Sequence, residues 1–171
     1  MVIESEFSEN IVINGSIQYK SIFEPRRNFP NRYSITTPFT FPFYNNKVVL
    51  TKDKNFEWNP LGGHIEEGEN WRDTIIRESY EEAGIVIDKR SIYLIGYLKI
   101  IKLLKHPDNK YPYLSLIPIT RSIVKKYDKN WVPRETLGRK CASYEKAMWL
   151  LSKRDDNNQM LKIFMFILKN K

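Results

Sequence analysis

Short runs of apolar residues, separated by turn-forming residues, fill the first part of the chain and predict β-strands. Residues 11–13 and 16–23 flank an Asn-Gly dipeptide, which is typical of the tight turn of a β-hairpin. Residues 33–43 are rich in β-branched and aromatic side chains, and residues 47–51 predict the returning strand. Because prolines fall within residues 33–43, this run is predicted to be an edge strand or to contain a bulge.

Helical spacing of apolar residues is clearest at residues 71–83, where the pattern predicts a helix. Gly84 follows directly, in the position where glycine commonly ends a helix. A long loop, residues 55–70, precedes this helix and contains three glycines. The segment therefore predicts a glycine-rich loop that leads into an amphipathic helix.

The second half of the chain continues with strands and one further helix. Residues 91–104 and 111–121 predict two long strands, whereas the polar residues 122–143 predict irregular structure. Residues 147–151 predict a last short strand. An Asp-Asp pair at 155–156 predicts the N-terminal cap of a helix that ends near Lys169. Strands and helices interleave, which indicates an α/β or α+β fold.

Length and composition predict a single domain over residues 1–171, with residues 1–30 as an N-terminal extension packed on it. Hydrophobic residues make up 42% of the chain, which suits a soluble protein with a buried core. Cys141 is the single cysteine, so we expect no internal disulfide and a cytoplasmic location. The apolar runs are shorter than the roughly 20 residues that cross a bilayer, so we expect no membrane partner.

The charge of the chain is unevenly distributed between its two halves. Residues 1–85 contain 9 Lys/Arg and 13 Asp/Glu, whereas residues 86–171 contain 19 and 7, within an overall net charge of +8. An acidic half beside a strongly basic half in one small domain suggests an anionic partner. Phosphate is the simplest such anion.

On a helical projection of residues 71–83, the apolar residues share one side and three glutamates share the other, beside Arg77. The predicted apolar side contains Ile75, Ile76, Ser79, Tyr80 and Ala83. Glu78, Glu81 and Glu82 are neighbours on the helix, and each like-charged pair is destabilising by roughly a few tenths of a kcal/mol. A divalent cation reverses this effect. Because Mg²⁺ binds carboxylates together with substrate phosphates, the helix predicts a metal site for a pyrophosphate.

The loop before the helix adds further candidates for the same site. Gly62 and Gly63 permit a tight turn and a close approach of the backbone, so the Gly62 carbonyl is a candidate metal ligand. Glu69 lies near the start of the helix, where a carboxylate is favoured by the helix dipole. The predicted site therefore combines the loop with the helix.

The stretch 63–85 resembles the Nudix box, the signature of a family of pyrophosphohydrolases. The signature is Gly, five residues, Glu, seven residues, Arg-Glu, one aliphatic residue, any residue, Glu-Glu, any residue, Gly and one aliphatic residue. The matching positions here are Gly63, Glu69, Arg77, Glu78, Glu81, Glu82, Gly84 and Ile85. The chain departs from the pattern at Ser79, which occupies the aliphatic position, and at Pro60, which lies one residue earlier than the usual proline.

The resemblance implies a mixed β-sheet sandwiched between helices, with the box as a loop-helix-loop unit. It also implies that water attacks one phosphorus atom of a nucleoside diphosphate linked to another group, assisted by Mg²⁺ or Mn²⁺. The implied metal ligands are Glu78, Glu81 and Glu82, and the implied structural residues are Gly63, Glu69 and Arg77.

The general base stays open between the box and a later loop. Within the box, Glu81 and Glu82 are the candidates. Outside it the candidate is Glu145, because family members often carry an acid shortly before a tryptophan, here Trp149, ahead of the last strand. The candidates for substrate binding are His64, which follows the glycine pair, and Arg26 and Arg27, whose guanidinium groups suit phosphate.

The resemblance leaves the substrate class open among a nucleoside triphosphate, a nucleotide sugar, a dinucleotide and an RNA end. Some subfamilies carry a proline or tyrosine marker roughly sixteen residues after the box, where this chain has Ile100, Ile101 and Lys102. The alternative function is a non-catalytic nucleotide-sensing or RNA-binding module, which the basic half of the chain favours. A homodimer, formed through the N-terminal hairpin or the C-terminal helix, is a further expectation.

Overall fold

The computed structural model of the chain describes residues 7–13, 16–30, 33–103 and 113–170. The described residues form strands, three helices and one 3₁₀ turn. In chain order these are β1 (Phe7–Ile13), β2 (Ser16–Glu24), β3 (Ser34–Ile35), β4 (Phe39–Tyr44), β5 (Lys47–Lys52), β6 (Trp58–Asn59), β7 (Leu61–Gly62), α1 (Trp71–Ala83), β8 (Ile85–Ile87), the 3₁₀ turn (Lys89–Ser91), β9 (Tyr93–Lys102), β10 (Leu114–Tyr127), β11 (Gly138–Ala142), α2 (Tyr144–Leu151) and α3 (Gln159–Lys169).

The strands form one mixed sheet with the order β1-β2-β9-β10-β4-β5-β11. β10 pairs with β4 in parallel, and the other neighbours along this order are antiparallel. The predicted N-terminal hairpin is confirmed as β1 and β2, although its Asn-Gly turn lies outside the described residues. β2 also pairs with β9, so the hairpin extends the sheet rather than forming a separate unit.

Helices cover both faces of the sheet, as predicted, because alternate residues of its strands point to opposite sides. On β5, Val48 and Leu50 belong to one buried cluster and Val49 belongs to another. The first cluster contains buried residues of α2 and α3, and the second contains buried residues of α1. The fold is therefore an α/β sandwich. Among the described helices, α1 packs on one face of the sheet, and α2 and α3 pack on the other.

The prediction of a last strand at residues 147–151 is wrong, because this segment is the second half of helix α2. Ser143 caps the helix, and its side chain accepts a hydrogen bond from the Lys146 amide. The buried residues Ala147, Leu150 and Leu151 follow the three- and four-residue spacing of a helix, whereas Trp149 is 52% exposed. A short apolar run resembles a strand when this difference in burial is not visible in the sequence.

Residues 122–143 are also more regular than predicted. β10 continues to Tyr127, and β11 returns as a strand at the far edge of the sheet. β11 pairs with β5 along its whole length, which explains how a polar segment forms a strand. The stretch that remains between the two strands, residues 128–137, is the return loop, and it lies beside α1.

β4 is an interior strand, contrary to the edge position that its prolines predicted. On one side it pairs continuously with β10 from Phe39 to Phe43. On the other side it pairs first with β7 and then with β5, and the described register has no partner for Phe41 and Pro42. The proline is tolerated because it falls in this gap between two ladders.

Helix α3 begins at Gln159, a few residues later than predicted. Asp156 nevertheless acts at its N-terminus, because its Oδ2 atom accepts a hydrogen bond from the Met160 amide at 3.3 Å. None of the helices in the described part of the chain is long and apolar enough to cross a membrane.

Candidate active site

Helix α1 begins and ends where the sequence predicts. The Asn70 side chain accepts hydrogen bonds from the amides of Arg72 and Asp73, which caps the N-terminus. Gly84 ends the helix in the left-handed conformation, with φ of 56°, and its amide donates to the Tyr80 carbonyl at 2.7 Å. The residues of the box from Trp71 to Ala83 therefore form one helix of 13 residues.

The buried face of α1 is rotated from the predicted one. Tyr80, predicted to face the core, is 48% exposed, whereas Glu78, predicted to face away from it, is only 7% exposed. The buried residues of the helix are Thr74, Ile75, Glu78, Ser79 and Ala83. A glutamate is tolerated on this face because a guanidinium group lies directly beside it, as described next.

Arg77 lies at the centre of a set of charge-assisted hydrogen bonds, here called the Arg77 network. Its Nε atom donates to Glu69 at 2.7 Å, and its Nη1 atom donates to Glu78 at 2.9 Å and to Glu81 at 2.8 Å. Its Nη2 atom donates to the His64 carbonyl at 3.0 Å. The network therefore joins the loop to the helix through Glu69 and Arg77.

The glycine pair packs directly against the glutamates of α1. A Cβ atom added to Gly63 would lie 2.0 Å from Glu78 Oε1, so only glycine fits this approach without a shift of the carboxylate. The Gly62 amide donates a hydrogen bond to Glu82 Oε2 at 3.0 Å. These two contacts set the positions of Glu78 and Glu82 relative to the loop.

The carboxyl groups of the box differ strongly in their electrostatic surroundings. The hydrogen bond from Arg77 lowers the pKa of Glu69 to about 2. Burial raises the pKa of Glu82 to about 8, and the neighbouring carboxylates Glu78 and Glu135 add to this rise. Burial also raises the pKa of Glu78, although Arg77 opposes the effect. Burial and neighbouring carboxylates therefore destabilise the ionised forms of Glu78 and Glu82 unless a further positive charge is bound nearby.

Glu135, in the return loop, completes a group of three carboxylates. Oxygen atoms of Glu78, Glu81 and Glu135 all lie within 4.8 Å of one another. We call these residues the acidic cluster. Glu135 was not predicted, because it lies 50 residues from the box in a segment without periodicity. The only signal in the sequence is that it is the single acid between Asp128 and Glu145.

The return loop holds Glu135 in place by binding the C-terminal carbonyls of α1. Trp131 Nε1 donates to the Glu81 carbonyl at 3.2 Å, and Thr136 Oγ1 donates to the Glu82 carbonyl at 3.0 Å. Arg139, on β11, donates to the carbonyls of Ala83 and Gly84. These side chains satisfy helix carbonyls that have no partner within the helix.

Arg139 supports the return loop in two further ways. Its Nη2 atom donates to the Asp128 carbonyl at 2.7 Å, and its guanidinium group lies 4.9 Å from the ring centroid of Trp131. Its positive charge also lies at the negative end of the helix dipole. The position of Glu135 thus depends on contacts with backbone carbonyls rather than on charged partners.

An open cleft of about 370 Å³ adjoins the acidic cluster, and Glu81 and Glu135 form part of its wall. The aromatic rings of Tyr80 and Trp131 and the exposed guanidinium group of Arg134 also line it. Aromatic rings, a guanidinium group and carboxylates therefore lie together. We call this space the catalytic cleft.

The remaining predicted residues lie outside the acidic cluster. Glu145 is exposed in the first turn of α2 and does not belong to the cluster. The His64 side chain is exposed, and its carbonyl binds Arg77. Arg26 forms an ion pair with Glu24 at 3.6 Å, and Arg27 lines a different cleft. Neither arginine lines the catalytic cleft.

The donor set of the acidic cluster fits a hard divalent cation. Three carboxylate groups converge, and oxygen ligands of this kind are those that Mg²⁺ and Mn²⁺ prefer. Arg77 contacts Glu78 and Glu81 on one side only, and a single guanidinium group does not balance three carboxylates. The donor chemistry of the cluster therefore fits a divalent metal ion.

Comparison with known proteins identifies the family. The NUDIX domain matches residues 37–150, two thirds of the chain, and the chain belongs to this family of hydrolases, which act on pyrophosphate bonds. The matched region includes the box, the return loop and all but the last residue of α2. No sequence among the curated proteins matches the chain.

Solved structures share the fold at low sequence identity. The chain is similar to a mutant of the Bacillus subtilis pyrophosphohydrolase BsRppH, with a TM-score of 0.67, 18% identity and coverage of 89% of this chain and 91% of that one. It is also similar to a NUDIX hydrolase from Nitrosomonas europaea, with a TM-score of 0.61, 17% identity and coverage of 81% and 90%. A C. elegans Ap4A hydrolase matches with a TM-score of 0.52, 16% identity and coverage of 79% and 99%.

Proposed function

We propose that this Nudix hydrolase cleaves the pyrophosphate bond of a nucleoside diphosphate derivative and depends on Mg²⁺ or Mn²⁺. The observation that carries the proposal is the convergence of Glu78, Glu81 and Glu135 beside an open cleft. In this proposal the three carboxylates bind the metal, and Glu82 and the Gly62 carbonyl are additional candidate ligands. A bound divalent ion would neutralise phosphate charge and lower the pKa of the attacking water.

The side chains of the catalytic cleft would bind and orient the substrate. Arg134 would donate paired hydrogen bonds to phosphate oxygens, since its guanidinium group is exposed. Trp131 and Tyr80 offer ring surfaces for a nucleobase. Arg77 would act indirectly, because its hydrogen bonds hold Glu78 and Glu81 in the orientation that the ligand set needs.

The proposal is tested by hydrolysis assays with purified protein in Mg²⁺ or Mn²⁺. The substrates are nucleoside triphosphates, nucleotide sugars, ADP-ribose, dinucleoside polyphosphates and RNA with a 5′-triphosphate. We expect Glu81→Gln to lower turnover at least about 100-fold, because it removes one carboxylate of the cluster. Glu67→Gln is the matched control, since Glu67 is an exposed glutamate of the preceding loop. Equal activity of the Glu81→Gln variant and this control would contradict the proposal.

A second comparison separates the two candidate acids outside the box. Glu135→Gln removes a member of the acidic cluster, whereas Glu145→Gln changes an exposed residue of α2. We expect the first variant to lose turnover and the second to keep it. The opposite result would favour Glu145 as the general base. Circular dichroism and thermal unfolding of both variants establish that any loss does not reflect misfolding.

The substrate panel also decides the substrate class, for which we propose a nucleotide-type molecule. The names of two similar structures, a pyrophosphohydrolase and an Ap4A hydrolase, support this class and the inclusion of dinucleoside polyphosphates in the panel. The product that appears in wild type and vanishes in the Glu81→Gln variant names the substrate. A non-catalytic binding module is the second candidate. Metal binding by folded protein without cleavage of any substrate would favour it.

A further inference from the structure

Two further clefts lie side by side and share no lining residue with the catalytic cleft. The first, about 370 Å³, is lined by aromatic and amide side chains; we call it the aromatic cleft. Its principal residues are Phe43, Tyr44, Asn45, Asn46, Tyr93 and Tyr144. The second, about 500 Å³, is the basic cleft, and its principal residues are Arg27, Arg72, Lys89, Arg90, Tyr93 and Arg121.

The basic cleft concentrates positive charge that nearby acids do not neutralise. Lys89 is paired with Asp73 at 2.8 Å, but Arg27, Arg72, Arg90 and Arg121 form no ion pair with any carboxylate in the described part of the chain. By contrast, Arg77 and Arg154 are each paired with more than one acid. Neighbouring guanidinium groups repel one another, and an anion bound among them would reverse that effect.

The two clefts join at a single pair of side chains. Tyr93 and Arg121 line both clefts, and the Arg121 guanidinium group lies 5.4 Å from the ring centroid of Tyr93. Tyr93 is 56% exposed, so its ring is available for stacking. A ligand that spans both clefts would therefore meet an aromatic surface on one side and unneutralised arginines on the other.

We propose that the two clefts together bind single-stranded nucleic acid, with a base in the aromatic cleft and backbone phosphates in the basic cleft. Aromatic rings beside a positively charged groove are the combination that binds single strands, because each base has a face that stacks and each phosphate carries charge. A base in a duplex is already stacked and does not reach such a cleft. Amide side chains of Asn45 and Asn46 at the aromatic cleft can also donate to and accept from base edges.

This site is distinct from the acidic cluster, and the proposal does not depend on hydrolysis. Binding is therefore measured in EDTA, by fluorescence anisotropy of a labelled RNA of roughly 12 nucleotides, a length within the usual range for such sites. A DNA strand of the same sequence shows whether the sugar matters. Binding of either strand supports the proposal, and binding of neither overturns it. Binding of AMP or inorganic phosphate as tightly as the oligonucleotide overturns it as well.

The role of the basic cleft is tested by the double variant Arg27→Ala/Arg90→Ala. Both side chains are exposed, so we expect folding to be unaffected. Loss of two phosphate contacts should lower the slope of log affinity against log salt by about 1.4, from the single-strand relation of about 0.7 per contact. Lys54→Ala/Lys125→Ala removes the same charge from exposed residues outside both clefts. An equal loss in the two double variants would show diffuse attraction and overturn the proposal.

The role of the aromatic cleft is tested by Tyr93→Ala. A stacked base contributes enough that we expect affinity to fall about tenfold. Tyr113→Ala is the control, because Tyr113 is also an exposed tyrosine, at 71%, and lines neither cleft. Unchanged affinity in Tyr93→Ala, with unfolding temperatures equal to wild type, would contradict the assignment of the base to this cleft.

Discussion

The acidic cluster is held from two sides by supports of different kinds. The Arg77 network is charged and local, since it lies within the box and joins Glu69, Glu78 and Glu81 to one guanidinium group. The return loop is distant in sequence and reaches α1 mainly through backbone carbonyls. The charge of Arg77 therefore orients the carboxylates of the helix. The return loop positions the carboxylate of Glu135 by binding the carbonyls at the end of α1. The two supports should respond differently to mutation and to pH.

Removal of the charged support should have the largest effect. In Arg77→Ala, the buried Glu78, the partly buried Glu69 and the more exposed Glu81 lose their shared partner, and we expect the free energy of unfolding to fall by about 4 kcal/mol. Urea unfolding measures the change. Arg72→Ala, on the same helix but without a carboxylate partner, should change stability by less than about 0.5 kcal/mol. Similar losses in the two variants would show that the network contributes little.

Glu82 receives no hydrogen bond from Arg77 among the described contacts. We therefore expect the titration of Glu82 to change the stability of the folded protein with pH. Because its pKa is raised to about 8, the folded protein retains this proton while the unfolded chain, with a pKa near 4.5, has released it. Stability without metal should therefore fall as pH rises between these values. Glu82→Gln stays neutral, so its stability relative to wild type should increase by about 3 kcal/mol from pH 5 to pH 8.

The measurement for Glu82 is thermal or urea unfolding in EDTA across that pH range. Glu67→Gln provides the control, because Glu67 is exposed and its substitution should produce no pH-dependent difference. A pH-independent difference between Glu82→Gln and wild type would mean that Glu82 is ionised in the folded protein.

Gly63→Ala tests the close contact between the loop and the helix. The new Cβ atom would displace the Glu78 carboxylate, and overpacking of this kind costs about 2 kcal/mol. We also expect metal affinity, measured by isothermal titration with Mn²⁺, to fall. Gly68→Ala is the control, since a Cβ atom there meets nothing within 4 Å, although its φ of 84° adds backbone strain. Retained metal affinity in Gly63→Ala would show that Glu78 adapts without loss.

Removal of a contact between the return loop and α1 should have the smallest effect on stability but a clear effect on the site. Arg139→Ala loses hydrogen bonds to three carbonyls, and we expect unfolding free energy to fall by about 1.5 kcal/mol. Turnover should fall further, because Glu135 loses its position while the Arg77 network is intact. Arg139→Lys should restore little, since lysine lacks the planar fork of donors. Wild-type turnover in Arg139→Ala would show that the contacts of Arg139 with the return loop are not needed for catalysis.

The sequence was a correct guide where local rules decide the structure. The bounds of α1 follow from the helical spacing of residues 71–83 and from Gly84, and both signals lie within the segment itself. It failed where a distant partner decides. Glu78 lies on the buried face because Gly63 and Arg77 accommodate it, and Glu135 belongs to the cluster because the return loop caps the end of α1. Neither arrangement is visible in the periodicity of either segment.

The same distinction explains the errors in the second half of the fold. β11 is polar, and it becomes a strand because β5 offers a partner along its whole length. α2 is short and apolar, and its helical burial depends on the side of the sheet against which it packs. Tertiary contacts override local preference in both elements, as is common for short segments.

The separation of the two supports along the chain has a consequence for how the protein folds. Glu78 and Glu81 come together as soon as α1 forms, an event that takes roughly microseconds in isolated helices. Thr136 meets the Glu82 carbonyl across 54 residues, so we expect Glu135 to arrive only after a long loop has closed, with β10 paired to β9 and β11 paired to β5. We therefore expect the acidic cluster to assemble in two stages, with its third carboxylate arriving late in folding.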